Sequence, residues 1–242
     1  ESICIRIEQS ITNHLGCKNI LEIGPGTGAL TKHILASNTF ENFYVMEVDR
    51  ESIKYLNTHY SVLTDRIIEA DFLQYDSTKL FQNASFCVVG NFPYNISSQI
   101  LFRCLEYRDL IPEIVGMFQK EVAERISQKP GKKQYGILSV FMQAFYDVEY
   151  LFTVDEHVFD PPPKVKSGVI RCRRNTRKKL DCDEQFFKKV VKTAFNQRRK
   201  TLRNSLKSLT NGIELPPHFS GERPEQLGVS EFIELTNLLM PH

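Results

Sequence analysis

Residues 19–28 read Asn19-Ile20-Leu21-Glu22-Ile23-Gly24-Pro25-Gly26-Thr27-Gly28, and the fold is decided there. A run rich in Ile and Leu predicts a buried strand, and a glycine turn at its end opens into a helix over 29–36. The pattern repeats outward. Residues 42–49 (NFYVMEVD) predict a second strand and 50–60 a helix. A third strand is predicted at 66–71 (RIIEAD), a fourth at 86–90 (FCVVG) with a helix from about Ser97, and a fifth at 113–119 (EIVGMFQ). Strands alternating with helices predict an α/β, Rossmann-like fold with a parallel sheet covered on both faces. Sites in such folds lie at the carboxyl ends of the strands. Before the sheet, Ile3, Ile7, Ile11 and Leu15 mark one stripe of a leading helix. After it, 136–146 reads as helix, and 147–154 and 168–173 as strands that close the sheet.

The texture changes near residue 181. Residues 183–199 predict a basic amphipathic helix that buries Phe186, Phe187, Val190, Val191, Ala194 and Phe195. Residues 211–217 are a turn-rich break. Residues 224–227 and 230–240 read as two short helices around Gly228, with Ser230 as N-cap. We expect a catalytic domain over 1–175 and a small helical domain over 181–242, joined by the polar stretch 174–180.

The 242 residues allow one sizeable core plus a smaller one. Apolar runs such as 86–90 and 137–141 fall far short of the ~20 residues that cross a bilayer. Residues 1–15 carry Glu1, Arg6 and Glu8 and do not read as a signal peptide. None of the six cysteines (4, 17, 87, 104, 172 and 182) is spaced C-x-x-C, and no two histidines are spaced H-x-x-x-H. A reduced, cytoplasmic protein without a metal is expected. Charge is lopsided: residues 1–159 hold 14 Lys/Arg against 20 Asp/Glu, and residues 160–210 hold 16 against 4. The basic block points to a polyanionic partner. Its plainer reading is a solvated helix face.

The glycine spacing is G-x-G-x-G (Gly24, Gly26, Gly28), not the G-x-G-x-x-G of nicotinamide enzymes. An acid, Glu22, precedes it. Both features resemble the S-adenosylmethionine (SAM)-binding loop of Rossmann-like methyltransferases. Glu47, near the end of the second strand, can accept from ribose hydroxyls. Asp49 competes for that role and is disfavoured because the strand is expected to end first. Asp71 closes the third strand and can accept from an adenine amino group, with Phe72 packed beside it. Each acid alone reads as a helix cap; three at successive strand ends favour a cofactor site.

After the fourth strand comes Asn91-Phe92-Pro93-Tyr94. An exocyclic adenine amine is a poor nucleophile, because its lone pair is delocalised into the ring. Acceptors for both N–H groups push the nitrogen toward tetrahedral geometry. The Asn91 side-chain oxygen and a backbone carbonyl at Phe92 or Pro93 suit that task. Proline fixes the turn. Tyr94 offers a face for a flipped-out base. Asn91 also lies within reach of the cofactor. Phe159, ahead of Pro161-Pro162-Pro163, is a candidate wall for the other face of the base, or else a loop anchor. Taken alone, N-x-P-Y reads equally well as an ordinary turn.

These stretches together resemble the KsgA/RsmA family of small-subunit rRNA adenine N6,N6-dimethyltransferases, across essentially the whole chain. LEIGPGTGALT (21–31), EVDR (47–50), EADF (69–72) and NFPYNISSQ (91–99) resemble its cofactor and catalytic motifs. QKEVAERI (119–126), YGILSV (135–140), FDPPPKVKS (159–167) and FNQRRKTLRNSL (195–206) are further signatures. The resemblance implies SAM as methyl donor and dimethylation of two adjacent adenosines near the 3′ end of small-subunit rRNA, within an assembling small ribosomal subunit. It also implies a basic C-terminal domain that docks RNA. In that domain Arg198, Arg199, Lys200, Arg203 and Lys207 are the candidate phosphate contacts. A monomer is expected. Family members usually begin with a Q-x-F-L segment that lines the cofactor site. Nothing here matches it, and Glu1 starts just after it, as truncation or disorder of that segment would leave the chain. Three rivals stand. One is an erythromycin-resistance-type methyltransferase acting on large-subunit rRNA. Another is a ribosome-assembly factor, or a mitochondrial transcription factor derived from the family. The third, a nicotinamide-dependent oxidoreductase, is disfavoured by the loop spacing.

Overall fold

The computed structural model describes residues 2–158 and 164–240. In chain order the helices and strands are α1 (Ser2–Gln9), β1 (Asn19–Ile23), α2 (Thr31–Ser37), β2 (Asn42–Glu47), α3 (Arg50–His59), β3 (Ile67–Glu69), β4 (Cys87–Asn91), α4 (Ser97–Glu106), β5 (Glu113–Gln119), α5 (Lys120–Ser127), α6 (Ile137–Phe145), β6 (Tyr146–Val154), β7 (Ser167–Arg174), α7 (Glu184–Asn196), α8 (Leu202–Ser205), α9 (Pro217–Ser220) and α10 (Val229–Leu239). The chain divides into two compact units, Glu1–Ala123 with Asp147–Arg174, and Glu124–Tyr146 with Asn175–His242.

The first unit holds one seven-stranded sheet in the order β3-β2-β1-β4-β5-β7-β6. Pairs β1–β2, β2–β3, β1–β4 and β4–β5 are parallel; β5–β7 is antiparallel. All five residues of β1 are buried, as a central strand covered on both faces requires. Strand order reverses on either side of β1, so the carboxyl ends of β1 and β4 flank a crevice. Ile20, Val45, Val89 and Val115 build one core of this unit, with Ile7 of α1 packed into it. Glu113, fully buried at the start of β5, accepts hydrogen bonds from the Thr12 amide (3.0 Å), the Thr12 hydroxyl (2.7 Å) and the His14 amide (3.2 Å). These tie the leading segment to the sheet.

The expected leading stripe runs only through Ile3, Ile7 and Ile11. Leu15 is 77% exposed with φ +57°, because the chain leaves the helix at Gln9 to reach Glu113. The third strand is shorter than 66–71, since Asp71 already accepts from the amides of Gln74 and Tyr75 in a turn.

The second unit is helical. Asp183 caps α7 by accepting from the Phe186 amide at 2.6 Å. Phe187, Val190, Val191, Ala194 and Phe195 are buried, each worth about 1.5–3 kcal/mol for the larger side chains. Phe186 is only half-buried, and the helix stops at Asn196 rather than at 199. The α10 N-cap is Gly228, not Ser230: the Glu231 carboxylate accepts from the Gly228 amide at 2.5 Å, which starts the helix two residues earlier. Residues 124–146 belong to this unit, whereas the sequence places them in the catalytic domain. The physical reason is α6, an almost wholly apolar helix whose Phe141 meets Phe187 of α7 with centroids 6.2 Å apart.

Candidate active site

The loop after β1 turns through three left-handed glycines: Gly24 (φ +65°), Gly26 (+55°) and Gly28 (+82°). At Gly28 conformation and space act together, for a Cβ there would lie 2.6 Å from the Tyr60 ring. The Tyr60 hydroxyl donates to the Gly28 carbonyl at 3.1 Å and holds the turn. Below the loop Glu22 is buried, and its carboxylate accepts from the Thr31 hydroxyl at 2.7 Å. Burial pushes the Glu22 carboxyl up to about 8; the Thr31 bond opposes this, and the nearby Glu47 adds to it.

Glu47 ends β2 with one oxygen accepting from the Gly26 amide at 3.1 Å. Its other oxygen accepts from the amides of Val48 (2.8 Å) and Asp49 (3.0 Å). A carboxylate offers about four acceptor positions, so about one remains for a ligand donor. Asp49, the competitor, is used otherwise: it caps α3 by accepting from the amide and hydroxyl of Ser52.

Gly24, Glu47, Asp71, Phe72 and Pro93 wall one cavity of about 380 Å³, within the range of small-molecule sites. Its apolar side comes from Ile23, Met46, Val48, Ala70, Ile96 and Ile100. Sequence reasoning missed these. Val48 carried a signal, as an apolar residue between two acids; in the folded chain it is 62% exposed. Ile96 and Ile100 sit four apart at the start of α4, which is also the spacing of ordinary core. Asp71 keeps its place in the wall while accepting from the Leu73 amide (2.9 Å) and the Gln74 side chain (3.1 Å). A largely apolar lining with two carboxylates in the wall fits a nucleoside whose hydroxyls and amine are donors. The residues present therefore fit SAM. Glu22, Gly26, Gly28 and Asn91 are not among the wall residues.

The turn after β4 is built on two glycines. The Phe92 ring is buried, and a Cβ on Gly116 of β5 would come within 2.1 Å of it; one on Gly90 would come within 2.9 Å. Phe92 thus anchors the turn through its side chain, and only its backbone is available to a substrate. The Phe92 amide donates to the Met117 carbonyl at 3.2 Å, and the Pro93 carbonyl accepts from the Ile96 amide at 3.1 Å. Among the described residues, the Phe92 carbonyl and the exposed Asn91 side chain have no hydrogen-bond partner. Tyr94 is half-buried, and its hydroxyl shares a 2.5 Å hydrogen bond with Ser167 of β7, a residue with no exposed surface. Phe159 lies outside the described residues.

In the second unit Arg199, Lys200, Arg203 and Lys207 are exposed. Arg198 is not equivalent: its guanidinium lies 3.7 Å from the Glu225 carboxylate and donates to the Lys133 carbonyl.

A family model described as ribosomal RNA adenine dimethylase matches residues 9–218. A relative in Cytophaga hutchinsonii, ribosomal RNA small subunit methyltransferase A, is 54% identical over 99% of this chain and 92% of its own length. The protein of the same name in Flavobacterium johnsoniae is 58% identical over 91% of this chain and 84% of its own. Among solved structures, a dimethyladenosine transferase from Plasmodium falciparum superposes with TM-score 0.77 at 23% identity, covering 97% of this chain and 94% of that one. The 23S rRNA methyltransferase ErmE superposes with TM-score 0.69 at 24% identity, covering 98% of each. At those identities the two structures establish the shared fold only.

Proposed function

The chain belongs to the ribosomal RNA adenine dimethylase family, and on that premise we propose that it transfers methyl groups from SAM to N6 of two adjacent adenosines near the 3′ end of small-subunit rRNA, during assembly of that subunit. The observation that carries the reading is the turn Asn91–Tyr94, held rigid beside a cavity that fits SAM. When bound, SAM supplies a methyl group on a sulfonium centre. The chain's own work is positioning and electrostatics. The Asn91 side-chain oxygen accepts from one N–H of the adenine amine and the Phe92 carbonyl from the other. Pro93 is the weaker choice, because its carbonyl already serves Ile96. Tyr94, tethered to Ser167, presents its ring to the unstacked base. Water suffices to take the proton from the methylated nitrogen.

Glu47 takes a ribose hydroxyl, Asp71 the adenine amino group of SAM, and Phe72 packs against its base. Glu22 supports the glycine loop from beneath. Exposed Arg199, Lys200, Arg203 and Lys207 contact rRNA phosphates. The protein acts in the cytoplasm as a monomer, and its six free cysteines agree with that compartment.

Identity of 54–58% to proteins named for the small subunit favours that substrate over the large one. Incubating the protein with labelled SAM and either unmodified small or unmodified large subunits tests the choice. Label in the small-subunit rRNA is expected. Label confined to the large-subunit rRNA would replace this reading with the resistance-type one.

A further inference from the structure

The connection between α5 and α6, Gln128-Lys129-Pro130-Gly131-Lys132-Lys133-Gln134-Tyr135, carries three lysines and no acid. Lys129, Lys132 and Lys133 are all exposed. The loop is pinned along its length. The Gln143 side chain donates to the Gln128 carbonyl at 2.7 Å. The Gly131 amide donates to the Glu225 carbonyl at 2.7 Å. Tyr135 is buried, its ring 6.4 Å from that of Phe195. The Arg198 guanidinium, seated on Glu225, donates to the Lys133 carbonyl. One arginine therefore joins this loop to the turn that carries Arg199 and Lys200, and residues 195–200 wall an open concavity of about 420 Å³.

We propose that loop 129–133 and turn 198–200 are one composite surface for an RNA sugar-phosphate backbone. Lys129, Lys132 and Lys133 act there with Arg199 and Lys200, and Arg198 is the strut that fixes the loop rather than a phosphate ligand. The proposal rests on the reading of the substrate as ribosomal RNA. Lysines are point charges on long stems and suit phosphates rather than base edges. Neither segment exposes a large apolar side chain, as insertion into a membrane surface requires. The sequence hid the pairing, because the two segments lie about 65 residues apart and the Arg198 side chain bridges them only once the chain has folded.

The test is binding of unmodified small-subunit rRNA by the parent, Lys132→Glu/Lys133→Glu, Arg198→Ala and the combination, over a range of salt. SAM affinity and a thermal melt are measured alongside. The lysine reversal is expected to weaken RNA binding tenfold or more near 0.1 M salt. It should also flatten the log–log salt dependence by about one for each phosphate no longer neutralised. SAM affinity should not change. Lys132→Gln/Lys133→Gln, which introduces no repulsion, should lose less in the same direction. Arg198→Ala should lose affinity alone but add little to the lysine reversal. Parent-like affinity and slope in both lysine variants would overturn the surface. Fully additive losses would overturn the strut. A parent that methylates only large-subunit RNA, and binds that RNA through the same lysines, would overturn the substrate reading while leaving the surface standing.

Discussion

At the residue scale, the hydroxyls of Tyr94 and Thr31 each meet a buried partner, Ser167 and Glu22 respectively. The 2.5 Å hydrogen bond between Tyr94 and Ser167 makes Ser167 a positioning residue: it orients the ring on which the base is proposed to stack. Ser167→Ala and Tyr94→Phe should each lower turnover about 2–10-fold, as expected for one hydrogen bond, with SAM affinity unaffected. Because both delete the same bond, the double variant should lose no more than either single one. Additive losses in single-turnover assays would show that the two side chains act separately. The second bond, from the Thr31 hydroxyl, falls on the Glu22 carboxylate, and that group makes a prediction about pH. Its carboxyl stands at about 8 in the folded chain against an ordinary 4.5. Between those values the folded state holds a proton that the unfolded state has lost, so this group's contribution to stability falls as pH rises from about 4.5 to about 8, then levels off. Urea midpoints of Glu22→Gln should therefore gain on the parent across that window. Parallel pH profiles for the two proteins would remove Glu22 as the cause.

At the scale of elements, the site depends on how closely β4 and β5 approach the Phe92 ring. In the sequence Gly116 looks like a flaw in an otherwise apolar strand. Its missing side chain is the space the ring fills. Gly116→Ala should cost about 1–3 kcal/mol by overpacking, and should lower methyl transfer further by displacing the turn. A melting temperature and activity equal to the parent's would contradict this. In the helical unit, Phe187→Ala should cost about 3–5 kcal/mol by urea denaturation, because the ring is 2% exposed and packs against Phe141 of α6. Strands were legible because central parallel strands are continuous apolar runs. Their ends were less so: β3 stops at Glu69 because the Asp71 backbone leaves the ladder for a turn, a choice that periodicity does not register. Similarly, Leu15 fits a helical stripe by spacing alone, while the pull of Glu113 on Thr12 and His14 comes from a strand about 100 residues away.

Across the whole molecule, charge and chemistry are divided. The first unit holds 15 Lys/Arg against 20 Asp/Glu; the second holds 16 against 9. The second unit thus carries the net positive charge that suits a polyanion, and the first carries the acids that suit a cationic, donor-rich cofactor. The glycine loop, Glu47, Asp71 and the Asn91–Tyr94 turn were legible because each stands at a strand end, where an α/β sheet puts its site. The apolar half of the cavity was not, since Ile96, Ile100 and Met46 look like any core residue until the fold assembles them. The allocation of 124–146 was hidden for a similar reason: an apolar helix does not announce which unit it packs against. In the proposed reaction, Asn91 and its turn present an adenine amine to the methyl donor. Single-turnover formation of dimethyladenosine on unmodified small subunits by the parent and by Asn91→Ala, with SAM affinity measured in both, puts this to the test. Dimethyladenosine is expected from the parent, with a loss of about 10²–10³-fold or more in the variant and SAM binding within a few-fold of the parent's. Undiminished methylation by Asn91→Ala would contradict it.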